Sequence, residues 1–269
     1  MWPMLMSLLI LSAISDPAGG VDLTPLTPVH PAAVTISDDH GSRLSVHKQA
    51  VVVKTAAWTA SRGILQRYDR SSSKDIWQPV GEAIPVVVGR NGLGWGSGLH
   101  RAANLKKSRY GGPEKREGDG RAPAGVFKLS GAFGYAPAAQ AAWIKLPYIE
   151  ATTSLRCVDD ARSPHYNRLV DAILIKSDWK SAEEMRRADD QYRLGVVVDH
   201  NANPAVPGRG SCIFIHIWKG AEAGTAGCTA MAQENMESLL RWLDPSANPV
   251  LIQLPSATYK QFRSVWGLP

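Results

Sequence analysis

Residues 212–218, Cys-Ile-Phe-Ile-His-Ile-Trp, constrain the fold more than any other stretch of the chain. β-Branched and aromatic side chains follow one another without a break. Such a run crowds the χ1 rotamers of a helix and suits a pleated surface, so it reads as a strand. Side chains alternate between the two faces of a strand. Ile213, Ile215 and Ile217 then point together into a core, and Cys212, Phe214, His216 and Trp218 point the other way. His216 is thereby mounted on stiff backbone and turned away from the isoleucines.

Other short apolar runs extend this pattern. Residues 50–58, 64–68, 84–89, 125–129, 147–158, 194–200 and 249–254 read as strands separated by turn clusters, Asn91-Gly92 among them. Two segments read as helices. Ser181 and Glu184 have capping-box spacing, which predicts a helix from 181 to about 190. Met236, Leu239, Leu240 and Leu243 recur at helical spacing ahead of Pro245, which predicts a second from about 231 to 243. The expected architecture is one domain, mainly β with a few helices. No internal repeat is visible.

Residues 1–14 carry no charged side chain and are rich in Leu, Ile and Met. They are too short for an ordinary membrane span. They end in Ala13-Ile14-Ser15, a small-x-small cleavage pattern, although the n-region lacks Lys and Arg. Residues 1–15 are therefore read as a signal peptide and the protein as exported, with no stable membrane span after cleavage. With no cysteine before Cys157, a lipid anchor on an N-terminal cysteine is excluded. Residues 16–45, rich in Pro, Ser, Thr and Asp, read as a leader or linker. Residues 46–255 form the expected main body and 256–269 a C-terminal tail.

An apolar share of 44% with 20% charged residues marks a globular chain rather than a disordered one. The net charge of +6 favours an anionic partner. No nucleic-acid motif is present, however, and nucleic acid is not expected as a partner. The basic stretch at 106–121 alternates with Gly, Glu and Asp and reads as a solvated loop. Gly94-Trp95-Gly96-Ser97-Gly98 lacks both the Lys-Ser/Thr of a phosphate loop and dinucleotide spacing, so it reads as a flexible loop. No cofactor is expected, and a monomer is assumed.

The chain has three cysteines, Cys157, Cys212 and Cys228. An odd count in an exported protein suggests one disulfide and one leftover thiol. If Cys228 is a nucleophile it stays free, which leaves Cys157–Cys212 as the bridge. A zinc site from Cys212, His216 and Cys228 fails on spacing. Residues four apart on a strand share a face but lie about 13 Å apart, too far to bind one ion. No metal is expected.

Cys228 follows His216 across a Gly- and Ala-rich loop at 219–227, long enough to fold back and bring the thiol beside the imidazole. Gly227 permits close backbone approach, so amides near Cys228 are candidates for an oxyanion hole. The helix beginning shortly afterwards, and a protonated histidine, would favour the thiolate. By spacing alone, a buried structural cysteine and a core histidine account for the pair as well as a nucleophile and base do.

The segment 213–218 followed by Thr225-Ala226-Gly227-Cys228 resembles the catalytic motif of the L,D-transpeptidase (YkuD-like) catalytic domain family, a strand-borne His and then Ser/Thr-x-Gly-Cys. Upstream, Glu117-Gly118-Asp119-Gly120-Arg121-Ala122-Pro123-Ala124-Gly125-Val126-Phe127 resembles the family's Gly-Asp-Gly-x-Thr-Pro-x-Gly-x-Phe turn and strand. His200-Asn201, with Pro207-Gly208-Arg209-Gly210-Ser211, resembles the loop leading into the His strand in one bacterial branch. The likeness covers roughly residues 50–255.

The resemblance implies a β-sandwich-like fold, a periplasmic or cell-wall location, and peptidoglycan stem peptides as substrate. It implies Cys228 as nucleophile, His216 as general base and acid, and the Gly227 carbonyl as the group orienting the imidazole. Thr225, Asn201 and Trp218 are candidates for substrate contact. The implied reaction is transfer from a tetrapeptide stem through a Cys acyl-enzyme with loss of D-Ala. A hydrolase of the same fold and an inactive wall-binding module are the alternatives. Two positions depart from the family pattern. Thr225 replaces a Ser, keeping the hydroxyl. Ala230 stands where an Arg is common, which removes a cation able to position a carboxylate or carbonyl.

Overall fold

Pairing between distant strands, more than local propensity, sets this architecture. The structure is a computed structural model, and it describes residues 44–100 and 111–269. Thirteen strands and two α-helices are present among these residues. In chain order the strands are β1 (Gln49–Thr55), β2 (Arg62–Asp69), β3 (Gln78–Val87), β4 (Leu93–Trp95), β5 (Ala122–Gly134), β6 (Tyr148–Glu150), β7 (Leu155–Val158), β8 (Leu169–Asp171), β9 (Ala182–Glu184), β10 (Leu194–Val198), β11 (Phe214–Ile217), β12 (Thr229–Met231) and β13 (Val250–Pro255). The helices are α1 (Gln233–Trp242) and α2 (Ser256–Trp266).

The large sheet runs β10-β11-β12-β3-β2-β1-β13-β5-β4, and β10 also pairs with β5. That last pairing closes the sheet into a barrel-like β-sandwich. β5 is long enough to serve both neighbours. Its residues 125–128 pair with β13, and its residues 129–134 pair with β10. β1 and β13 are continuous apolar runs lying parallel in the middle, and Ala50–Val53 are fully buried. Such runs belong to strands covered on both faces. α2 packs over β1 and β13, and α1 over β10 and β11.

A second sheet, β8-β7-β9, stands apart from the barrel. Beneath it lies a smaller apolar cluster containing Phe133, Leu155, Cys157, Met185, Tyr192, Cys212, Phe214 and Cys228. Cys157 and Cys212 are joined by a disulfide, with their Cα atoms 5.9 Å apart. The bond ties β7 to the residue two ahead of β11.

Four expectations are corrected. The segment expected to be helical from 181 to 190 instead contains β9, whose residues pair with β7. The Ser181 hydroxyl donates to the Asp159 carboxylate and does not cap a helix. Tertiary pairing here overrides a local capping signal. The expected tail at 256–269 contains α2, with Thr258, Tyr259, Phe262 and Trp266 buried on one face and Leu268 buried beyond it. Phe262 and Trp266 stack at 4.2 Å. The segment at 94–98 is not simply a flexible loop, because Gly94 and Trp95 pair in parallel with β5. Trp95 packs on Trp58 and edge-on to Phe262. In the basic stretch, residues 106–110 lie outside the described residues, but Lys115 is buried with its ammonium 2.8 Å from Asp119. The candidate signal peptide and nearly all of the leader also lie outside the described residues.

Candidate active site

β11 and β12 are parallel neighbours, with Ile215 opposite Thr229, His216 opposite Ala230 and Ile217 opposite Met231. This register places Cys228, just before β12, beside Phe214. Partners in register point to the same face, and alternate residues share a face. Phe214, His216 and Cys228 therefore project together on the side away from Ile213 and Ile215, which lie in the main core. A separation of one strand laterally and two residues along puts the Cα atoms of His216 and Cys228 at ~8 Å. Side chains of that length converge from there. Both line one cavity of about 340 Å³ together with Lys115, Glu117, Asp159, Glu183, Arg187 and Tyr192.

Cys228 is a free thiol, almost wholly buried. Its Sγ accepts the Phe214 amide at 3.3 Å and lies 3.6 Å from the Cys212 carbonyl oxygen. Burial pushes the thiol up to about 12; the nearby Glu183 adds to this, and the Phe214 amide opposes it. His216 is lowered to about 4, chiefly by burial and against its hydrogen bond to a carbonyl. At neutral pH the resting pair is a thiol beside a neutral imidazole.

The imidazole Nδ1 meets the Ile217 carbonyl at 2.7 Å. This corrects the expected role of Gly227, because the orienting carbonyl comes from the histidine's own strand. With Nδ1–H donating there, Nε2 carries the lone pair, as a base requires. The Tyr192 ring lies edge-on to the imidazole at 5.1 Å.

The remaining sequence candidates divide. The Thr225 hydroxyl donates to the Cys228 carbonyl at 2.6 Å and accepts from the Gly227 amide at 3.1 Å. It closes the turn that presents Cys228, and the Gly227 amide is engaged within that turn. Asn201 lines a different cavity, with Lys128, Asp199 and Arg209. Its side-chain amide bridges Val206 and Gly210 and so braces the loop before β11. Trp218 is half-buried beyond the end of β11 and does not line the Cys228 cavity. These two are corrected as substrate contacts of that cavity. Ala230 is fully buried beside His216, and the cations of the cavity come from Lys115 and Arg187 instead.

Asn167 escaped the sequence reading, and Glu117 and His200 entered it only within the motif likeness, without a role. Asn167 accepts the Cys212 amide at 2.8 Å and donates to the carbonyls of His200 and Asn201. It thereby holds Cys212 in the left-handed region, at φ 55°, immediately before the His strand. Glu117 receives the hydroxyls of Ser211 and Tyr166 and anchors the Gly-Asp-Gly turn against the same loop. His200, also lowered to about 4 by burial, accepts the Ser97 amide on Nδ1 and reaches the Arg209 carbonyl at 3.0 Å from Nε2. No periodicity marks such residues, because their partners lie far away in sequence. Among the described residues, no group of three or more His, Cys, Asp or Glu side chains is arranged to hold a metal ion.

The two buried histidines make a stability prediction. Each has a folded value near 4 and an unfolded value near 6.5, so between these pH values the unfolded chain binds more protons. Stability therefore rises with pH through this window and is lost as pH falls from 6.5 toward 4. The loss is on the order of 2–3 kcal/mol per histidine. Glu183, raised by burial to about 7, contributes with the opposite sign over much of this window. Denaturant melts of a Glu183→Gln variant across that range therefore make the check, and a flat midpoint there would contradict neutral burial of both rings.

The profile of the L,D-transpeptidase catalytic domain (YkuD) matches residues 68–252, well over half of the chain. The chain belongs to this family, whose enzymes are typically cysteine-dependent and whose function lies in peptidoglycan. No curated protein matches the chain. No solved structure matches it. Among the described residues, no helix is long and apolar enough to cross a membrane.

Proposed function

We propose that this protein is an exported L,D-transpeptidase that cross-links peptidoglycan stem peptides through an acyl-enzyme on Cys228. The observation that carries this reading is the parallel register of β11 and β12, which turns His216 and Cys228 to one face and into one cavity. A neutral imidazole beside a protonated thiol suits attack coupled to proton transfer.

In this reaction Sγ attacks the carbonyl between the L-centre of a diamino acid and the terminal D-Ala, while the thiol proton passes to His216. The Cys228 amide serves the oxyanion. The C–N bond then breaks, His216 returns the proton to the departing D-Ala amine, and a thioester remains. An amine from a second stem attacks the thioester and gives up a proton to His216. The thiolate leaves and is reprotonated, and a 3–3 cross-link results.

Purified tetrapeptide muropeptides test the reading by mass spectrometry of the products. Dimers with stoichiometric release of D-Ala are expected. Release of D-Ala without dimers, or cleavage of supplied dimers, would replace transfer by hydrolysis at the same site.

A further inference from the structure

The wall of the Cys228 cavity carries the charged side chains of Lys115, Glu117, Asp159, Glu183 and Arg187. All but the last are engaged by neighbours. The Lys115 ammonium, on a buried side chain, donates to Asp119 at 2.8 Å and to the Arg116 carbonyl at 2.6 Å. Glu117 accepts the hydroxyls of Ser211 and Tyr166, Asp159 that of Ser181, and Glu183 that of Tyr192 at 2.6 Å.

Arg187 differs. It lies in the loop between β9 and β10, and its side chain is 38% exposed. Asp189 takes one edge of the guanidinium, at 2.8 Å from Nε and 2.5 Å from a terminal nitrogen. Asp189 itself does not line the cavity. A guanidinium holds its N–H donors in a rigid fork and can meet a carboxylate along an edge. The second edge of Arg187, with the other terminal nitrogen, makes no hydrogen bond among the described residues.

This open edge is fixed before any ligand arrives. The Tyr135 hydroxyl accepts the Arg187 amide at 2.8 Å and donates to the Arg187 carbonyl at 3.0 Å. The guanidinium carbon lies 5.0 Å from the centre of the Tyr192 ring, and the same ring packs edge-on to the His216 imidazole. Backbone, side chain and fork are all held, which keeps the ordering cost of binding an anion small.

We propose that Arg187 is the specificity-determining residue for the donor stem and receives its terminal carboxylate. The inference rests on Cys228 and His216 acting on a stem peptide, and it adds which cation reads the end of that peptide. In the proposed reaction His216 returns a proton to the D-Ala nitrogen. The D-Ala carboxylate follows that nitrogen after a single carbon, so it lies on the imidazole side of the scissile bond, where Tyr192 presents Arg187. Ala230, fully buried opposite His216, supplies no charge there. Glu117 and Asp159 repel an anion from the rest of the wall, whereas the open edge of Arg187 offers it paired, charge-assisted hydrogen bonds.

The test is isothermal titration of the full-length, non-reduced Cys228→Ala protein, which lacks the thiol needed to consume the peptide. The ligands are a synthetic tetrapeptide stem ending in D-Ala and the same peptide as its C-terminal amide. The acid is expected to bind about tenfold or more tighter than the amide, the difference that hydrogen bonds to a charged group supply. Adding Arg187→Gln should weaken the acid to the level of the amide and leave the amide unchanged. Adding Arg187→Lys, which keeps the charge but not the fork, should retain only part of the preference. The amide is the control for structural damage, which weakens both peptides alike.

Equal affinities of acid and amide for the Cys228→Ala protein overturn the proposal. So does a preference that survives Arg187→Gln undiminished, because the carboxylate then sits on another cation. If the Gln variant fails to fold, the Lys variant decides, and an undiminished preference there overturns the pairing of fork and carboxylate. Failure of the functional reading looks different. If neither peptide binds, the stem is not the substrate and the proposal falls with that reading. If acid and amide bind alike while the wild type forms dimers, only the assignment of Arg187 falls.

Discussion

Cys228→Ala and His216→Gln are each expected to reduce cross-link formation by about 10⁴-fold or more, and the double variant by no more than either alone. In the proposed reaction nucleophile and base act as one unit. Without the imidazole, a thiol held near 12 has almost no thiolate at neutral pH and nowhere to send its proton. Without the sulfur, the base has nothing to activate. Each single change therefore removes nearly all that the pair supplies. Initial rates of dimer formation for the three variants, alongside their melts, make the check. Multiplicative losses in the double variant would mean that the two residues act independently. The melts add a second criterion. His216 is buried and neutral, so His216→Gln should be more resistant than the wild type to unfolding below about pH 6, because one proton-uptake penalty is gone.

Replacing both Cys157 and Cys212 by alanine is expected to destabilise the protein by about 4 kcal/mol, the chain-entropy value for a loop of this length. The bridge spans 55 residues of sequence, and both sulfurs are buried. For a domain of this size that corresponds to a melting temperature lower by about 8–16 °C. Activity should also fall. β7 carries Cys157 opposite Glu183, and Cys212 leads into the His strand with its carbonyl beside Cys228 Sγ. Cutting the bridge frees the cavity wall from the strand that bears His216. Reduction of the wild type should reproduce both effects. Unchanged melts would show that the apolar cluster alone holds the small sheet in place.

The legible and illegible parts of this chain differ in a physical way. The strand of His216 could be read from the five β-branched or aromatic residues flanking it, and its parity followed from the pleat. The length of the 219–227 loop allowed a return beside His216, but only the parallel register shows that the return lands on the same face. The helix expected at 181–190 rested on Ser181 and Glu184 alone, without an apolar stripe, and pairing with β7 prevailed. The reverse error occurred at 256–269, where Tyr259, Phe262 and Trp266 did mark a buried helical face.

Site chemistry divides along the same line. The motif residues Thr225, Gly227 and Cys228 are contiguous, so they are visible in the sequence. Glu183, Tyr192 and Asn167 act across gaps of 9 to 45 residues and have no local signature. Likewise the orienting carbonyl belongs to Ile217, next to the histidine, because the imidazole folds back onto its own strand. Only side-chain direction could distinguish it from Gly227.

Sequence by itself determined a mainly β chain, the thiol and imidazole of the candidate site, and the likeness to a family of acyl-transfer enzymes. These depend on local periodicity and contiguous motifs, which short-range sterics impose on the backbone. Tertiary structure alone decided which face the thiol joins, which carbonyl holds the imidazole, and that a separate three-stranded sheet walls the cavity with Glu183 and Arg187. Those outcomes depend on strand register and on burial, and both are properties of residues brought together from distant parts of the chain.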